Sequence, residues 1–260
     1  MTAPAAVLFD MDGTLVDTEV LWWETAREVA AGLGHRLTDA DAPEVVGRAV
    51  ADTAAHLIAV TGGAAGARDR TADPDGGADP DRGAHPDRGA DPDRGAALER
   101  TAAELTGSFF RKVDAGAPLR PGAAALLASV EAAGVPFALV SASPRSVVDA
   151  VVAGSLAGVG FAFTLSADDT VRTKPHPDPY RAAAERFAVA PSACVAVEDS
   201  PDGTASADAA GCAVLVVPSL LPVAPGQGRT FARSLEEVDL GVLSDCLRRP
   251  DPEIRGPKSA

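Results

Sequence analysis

Ala5-Ala6-Val7-Leu8-Phe9-Asp10-Met11-Asp12-Gly13-Thr14 carries an apolar run straight into two carboxylates one residue apart, and then into a glycine. A short apolar run of this kind reads as a buried strand, and the glycine marks where it breaks. Both acids then stand at the sheet edge where ligands of open α/β sheets bind. Neighbouring carboxylates repel, so one of them would resist ionising without a metal or a shared proton. Hard oxygen donors suit magnesium, and a divalent cation carrying phosphate is the cargo this edge predicts.

Working outward, similar runs recur at Pro136 to Val140, Phe161 to Leu165, Val195 to Val197 and Ala213 to Val217. Short runs alternating with helical stretches predict βαβ units and a parallel sheet. Pro121 can open the alanine-rich stretch that closes at Gly134. Ser143-Pro144, Asp178-Pro179 and Ser200-Pro201 each pair a capping residue with a proline suited to the first helical turn. The interval from Phe9 to Pro136 is far too long for an ordinary crossover and requires an inserted module. Helical patterns over residues 19–33, Ala42 to Val60 and Leu98 to Val113 make that module a small helical cap. The fold class is α/β: a doubly wound, Rossmann-like parallel sheet core with an inserted helical cap domain. Residues 1–16 and 117–250 form the expected core, residues 17–116 the cap, and residues 251–260 a flexible tail.

Within the cap lies a six-residue repeat: ADPDGG at Ala72 to Gly77, ADPDRG at Ala78 to Gly83, AHPDRG at Ala84 to Gly89 and ADPDRG at Ala90 to Gly95. A β-helix needs an apolar residue at a fixed point of each turn, and only alanine is on offer. Proline and glycine without a core residue predict a disordered segment over residues 62–97. A calcium loop is disfavoured, because no glutamate closes it and Arg82, Arg88 and Arg94 would compete with a cation. Eight aspartates and five arginines between Gly62 and Ala97 leave this stretch at −3, so the chain's formal charge of −14 arises mainly elsewhere.

That charge argues against nucleic-acid or anionic-membrane partners, which require clustered Lys and Arg. A small anionic substrate remains compatible, since a local metal and one lysine override the global field. Cys194, Cys212 and Cys246 are too scattered for a disulfide framework or a zinc site and read as buried thiols. The four histidines share no metal-ligand spacing with acids or cysteines. No basic leader and no run of about 18 apolar residues is present, so a cytoplasmic monomer without membrane attachment is expected.

The stretch from Asp10 to Glu19 resembles the first motif of the haloacid dehalogenase superfamily in its Asp-x-Asp, phosphotransfer form. Three more motifs follow in order. Ser141 resembles the hydroxyl motif after the second core strand. Lys174, in Thr173-Lys174-Pro175, resembles the lysine motif. Glu198-Asp199-Ser200-Pro201-Asp202-Gly203 resembles the acidic metal motif. The resemblance points to the beta-phosphoglucomutase-like subgroup with a helical, C1-type cap, and it leaves only the repeat and the tail unmatched.

It implies a magnesium-dependent phosphatase acting on a small phosphorylated metabolite, a sugar phosphate being one such class. Asp10 is the expected nucleophile, forming an aspartyl phosphate. Asp12 is the expected acid and base, binding magnesium by its backbone carbonyl and leaving its side chain free. Like-charge neighbours should raise the Asp12 pKa. Asp199 completes the metal ligands with Asp10 and Asp12, and Glu198 stands among them or just outside. Lys174 neutralises phosphoryl oxygens, Ser141 hydrogen-bonds one with Ala142 in the turn beside it, and Gly13 and Thr14 turn the chain beneath the site. By analogy with capped relatives, Glu19, Trp22, Trp23 and Arg48 are the specificity candidates, with core packing the better reading for either tryptophan alone. A phosphoglucomutase-like phosphosugar mutase and a non-catalytic interaction protein on the same fold are the alternatives.

Overall fold

Four of the predicted strands are apolar on both faces, and burial of both faces is what a parallel sheet covered by helices demands. In the computed structural model, which describes residues 3–46, 48, 50–68 and 92–248, these are β1 (Ala6–Phe9), β2 (Phe137–Val140), β4 (Cys194–Glu198) and β5 (Ala213–Val216). The two-residue β3 (Thr164–Leu165) flanks β2, and β6 (Arg229–Phe231) flanks β5. All six strands are parallel in the order β3-β2-β1-β4-β5-β6, with Leu8 opposite both Ala138 and Ala196. The order reverses between β1 and β4, and ligands of such sheets bind at that switch point. The α/β, doubly wound reading therefore holds.

The chain divides into two units, one of Met1–Thr18 with Val113–Ala260 and one of Glu19–Lys112. In the first unit α4 (Ala123–Ala132), α5 (Arg145–Ala153), α6 (Asp178–Arg186), α7 (Pro201–Ala210) and α8 (Leu240–Cys246) accompany the sheet. Tyr180, Ala183 and Ala184 of α6 share a buried cluster with Leu8, Ala196 and Val214. Ser200 caps α7 by accepting the Gly203 N–H at 3.1 Å, as its pairing with Pro201 predicts. Cys194, Cys212 and Cys246 are buried free thiols, and burial pushes Cys194 up to about 11 and Cys212 up to about 12.

The second unit contains α1 (Thr18–Gly32, beginning one residue before it), a 3-10 turn (Asp39–Glu44), α2 (Val50–Arg68) and most of α3 (Pro92–Gly116). Ala26, Val29, Ala30, Leu37, Val45, Ala54, Leu57 and Leu105 form its core. Among the described residues, no helix is long and apolar enough to cross a membrane.

Several expected boundaries move. The helix expected from Ala42 to Val60 is broken: Thr38 donates its N–H and hydroxyl to Asp41 at 2.8 and 3.0 Å, which closes a short turn containing Pro43. The long helix starts only at Val50. The repeat region expected over residues 62–97 is helical at both ends, because α2 continues to Arg68 and α3 begins at Pro92. Proline suits a helix's first turn, and alanine favours its interior. The rest of the repeat and the tail at 251–260 lie outside the described residues. Pro121 does not open α4. Gly122 is the cap residue instead, at φ 84°, and β6 and α8 were not foreseen.

Gly122 is fixed by two constraints together. A Cβ there would lie 2.3 Å from the Glu236 nitrogen and 2.4 Å from the Leu235 carbonyl carbon, both backbone atoms that cannot swing away. Gly134 has a similar φ of 68° but nothing within 4 Å. Gly122→Ala should therefore cost about 3 kcal/mol or more in urea unfolding, and Gly134→Ala about 1 kcal/mol. Equal losses would show that the approach to Leu235 and Glu236 carries no weight.

Candidate active site

The carboxyl ends of β1, β2 and β4 deliver the functional side chains to one place. Asp10 follows β1, Ser141 follows β2, and Glu198 ends β4 with Asp199 next to it. The backbone then reverses at Gly13, whose N–H bonds the Val16 carbonyl at 2.8 Å with φ at 80°. Glycine takes this conformation without the steric penalty of a Cβ.

Lys174 is the centre of the charge arrangement. Its Nζ donates to Asp10 Oδ1 at 2.5 Å, Glu198 Oε1 at 2.7 Å and the Val140 carbonyl at 2.8 Å, which uses all three ammonium protons. Its side chain is 4% exposed, and those of Asp10 and Glu198 are 8% and 0% exposed. Burial works against the charged lysine, but the Asp10 and Glu198 carboxylates outweigh it and hold its pKa above the ordinary lysine value. Burial also pushes the Asp10 carboxyl well above the usual range; Lys174 opposes this, while Glu198, Asp199 and Asp12 add to it.

Glu198 is held on every side. Oε1 also accepts from the Tyr180 hydroxyl at 2.6 Å, and Oε2 accepts from the Asp199 N–H at 3.2 Å and the Ser200 hydroxyl at 3.3 Å. The Tyr180 ring lies 5.2 Å from Lys174 Nζ, within cation–π range. By contrast, Asp10 Oδ2 is buried without a hydrogen-bond partner. Oxygens of Asp10, Glu198 and Asp199 all lie within 4.8 Å of one another, the arrangement a cation would need.

Asp12 is half-buried and caged by hydroxyls. Oδ1 accepts from Thr18 at 2.8 Å, and Oδ2 accepts from Ser141 at 3.0 Å and Ser143 at 2.8 Å. Ser141 in turn accepts the Ser143 N–H at 2.9 Å. Ser141, expected to serve a phosphoryl oxygen, thus bonds Asp12 here, and Ala142 sits exposed between the two serines. Thr14 donates to Asp199 Oδ1 at 3.2 Å, and Ser219 donates to Asp199 Oδ2.

The structure brings Asp10, Asp12, Gly13, Thr14, Ser141, Lys174, Glu198 and Asp199 together in one unit. Sequence reasoning missed Tyr180 and Ser219, gave Thr18 no part in the site, and gave Ser143 only to a helix start. A polar residue just after each apolar run was the available signal for Ser143, and nothing local marked Tyr180 or Ser219. In the other unit, Trp22 donates its indole N–H to the Val45 carbonyl at 2.9 Å and meets Phe109 edge-on, with ring centroids 5.4 Å apart. Trp23 is partly buried against the same cluster, Arg48 is exposed and donates Nε to the Pro43 carbonyl at 3.0 Å, and Glu19 is half-buried.

Residues 4–211 match the family described as haloacid dehalogenase-like hydrolase. Protein CbbY (plasmid) of Cupriavidus necator is 32% identical over 223 residues, covering 82% of this chain and 78% of that protein. Hexitol phosphatase A of Escherichia coli is 41% identical over 99 residues, covering 37% of this chain and 44% of that protein, so the match spans less than half of that relative. The crystal structure of CbbY from Rhodobacter sphaeroides in complex with phosphate superposes with a TM-score of 0.64 at 25% identity, covering 90% of this chain and 96% of that one. The chain belongs to the haloacid dehalogenase-like hydrolase family.

Proposed function

We propose that this hydrolase is a magnesium-dependent phosphatase that cleaves a small phosphorylated metabolite through a phosphorylated Asp10. The observation that carries the reading is the asymmetry of Asp10, a member of the carboxylate cluster with Glu198 and Asp199: one of its oxygens sits on the Lys174 ammonium and the other is buried and unpartnered. Such an oxygen is costly to bury unless something binds it. A phosphate-bound CbbY structure and a hexitol phosphatase among the relatives support a phosphorylated, sugar-like substrate.

A divalent cation fits the residues present. Three clustered carboxylates, two of them bonded to one ammonium, leave an excess of negative charge that a dication would offset, and all the donors are hard oxygens. Asp10, Asp199 and the Asp12 backbone carbonyl would hold it. Glu198, whose oxygens already accept four protein donors, would orient Lys174 from just outside. When bound, magnesium neutralises charge on the phosphoryl oxygens.

The chain's own groups do the rest. The Asp10 carboxylate attacks phosphorus, a P–O bond to Asp10 forms, and the bond to the substrate alcohol breaks. Asp12 gives its proton to the leaving alkoxide, then takes one from the water that attacks the aspartyl phosphate and frees inorganic phosphate and Asp10. Lys174 stabilises negative charge on the phosphoryl group in the loose transition state. Thr18, Ser141 and Ser143 hold the Asp12 carboxyl group in position for both proton transfers.

Purified protein should release phosphate from an aryl phosphate with magnesium and cease when a chelator is added; chelator-insensitive turnover would refute the cation assignment. Asp10→Asn should remain folded by circular dichroism and lose at least about a thousandfold in kcat. Retention of a tenth of the activity would remove Asp10 as nucleophile. Ser143→Ala should lower kcat by about tenfold with little change in KM, because it loosens Asp12. A raised KM at constant kcat would make Ser143 a substrate-binding group instead.

A further inference from the structure

We infer that Ser219 is a positioning residue for the cation site, its hydroxyl holding the Asp199 carboxylate in the orientation a divalent cation requires. This rests on the metal-dependent reading above and extends it to a residue outside all four motifs. Asp199 is 3% exposed and is gripped from both sides by hydroxyls on different loops. Thr14, from the turn after β1, bonds Oδ1 at 3.2 Å, and Ser219, from the segment after β5, bonds Oδ2. A Cβ on Gly13 would lie 2.2 Å from Asp199 Oδ2 and 3.1 Å from Ser219 Oγ, so the three residues meet at one point.

The chemistry follows from the lone pairs. A carboxylate oxygen can accept a hydroxyl proton on one side and still offer its other lone pair to a cation. Ser219 therefore does not need to leave for the cation to bind. It removes the rotational freedom that a terminal carboxylate would otherwise lose on binding, which is how hydrogen-bond partners of metal ligands raise affinity. The two residues that follow, Leu220 and Leu221, are 57% and 44% exposed and do not anchor that side of the segment. Removing the Ser219 hydroxyl thus forfeits the contact to Asp199 while leaving the apolar core untouched.

The test is calorimetric titration of magnesium into the unaltered protein, Ser219→Ala and Ser219→Thr, with thermal unfolding measured with and without magnesium. Ser219→Ala should bind magnesium roughly tenfold to a hundredfold more weakly and show a smaller magnesium-induced rise in Tm, with its metal-free Tm nearly unchanged. Ser219→Thr, which keeps the hydroxyl, should bind within about threefold of the unaltered protein by the same reasoning. An alanine variant whose affinity stays within about twofold overturns the inference alone. A threonine variant as weak as alanine overturns it too, because the hydroxyl would not be the active feature. Absence of magnesium binding by the unaltered protein would overturn both the inference and the metal-dependent function beneath it.

Discussion

A single ammonium, Lys174 Nζ, lies buried between Asp10 and Glu198 and is the interaction on which the site depends. It reaches the end of β2 through the Val140 carbonyl, the end of β1 through Asp10 and the end of β4 through Glu198, so one cation ties together three strand termini. A buried charge is tolerated only when it is paired and fully hydrogen-bonded, and Lys174 meets that condition with none of its protons left over. Removing the ammonium would leave two uncompensated carboxylates facing each other.

The remaining polar groups divide into two sets with different tasks. Tyr180 and Ser200 join Lys174 and the Asp199 N–H in saturating Glu198, so that carboxylate works as a fixed counter-ion. Thr18, Ser141 and Ser143 hold Asp12, and Thr14 and Ser219 hold Asp199. Neutral hydroxyls orient the second set without adding charge, which suits groups proposed to exchange a proton or accept a cation. The Lys174 ammonium thus serves Asp10 and Glu198, while hydroxyls hold Asp12 and Asp199.

Much of the site was legible because it lies where apolar runs stop. Asp10, Ser141, Glu198 and Asp199 each adjoin a buried strand; the Asp10 and Asp12 pair stood out from the residues themselves, and Ser141, Glu198 and Asp199 through the resemblance. Tyr180 was not legible for the opposite reason. On α6 it reads as an aromatic of the helix's buried face, and its hydroxyl meets Glu198 only because α6 lies in the same buried cluster as β1 and β4. Ser219 belongs to a loop with no periodic signal. The edge strand β6 is three residues long and only partly buried, so it lacks the apolar run that betrays the central strands. The break before Val50 escaped notice because a side-chain bond, Asp41 to Thr38, ended a turn that apolar spacing alone would have continued.

The electrostatics of Asp10 connect the fold to the proposed chemistry. A nucleophilic carboxylate has to be ionised, yet burial and three neighbouring acids push this one toward its protonated form, and Lys174 only partly reverses the effect. The protein's own groups therefore leave the charged form of Asp10, the proposed nucleophile, incompletely stabilised. A dication held by Asp10 and Asp199 would add to that stabilisation, and its binding would favour the ionised form of Asp10. In the proposed phosphatase a cation held there would both offset the charge of the phosphate and favour the ionised form of Asp10. Lys174 alone could do neither fully, since its protons are already committed to Asp10, Glu198 and Val140.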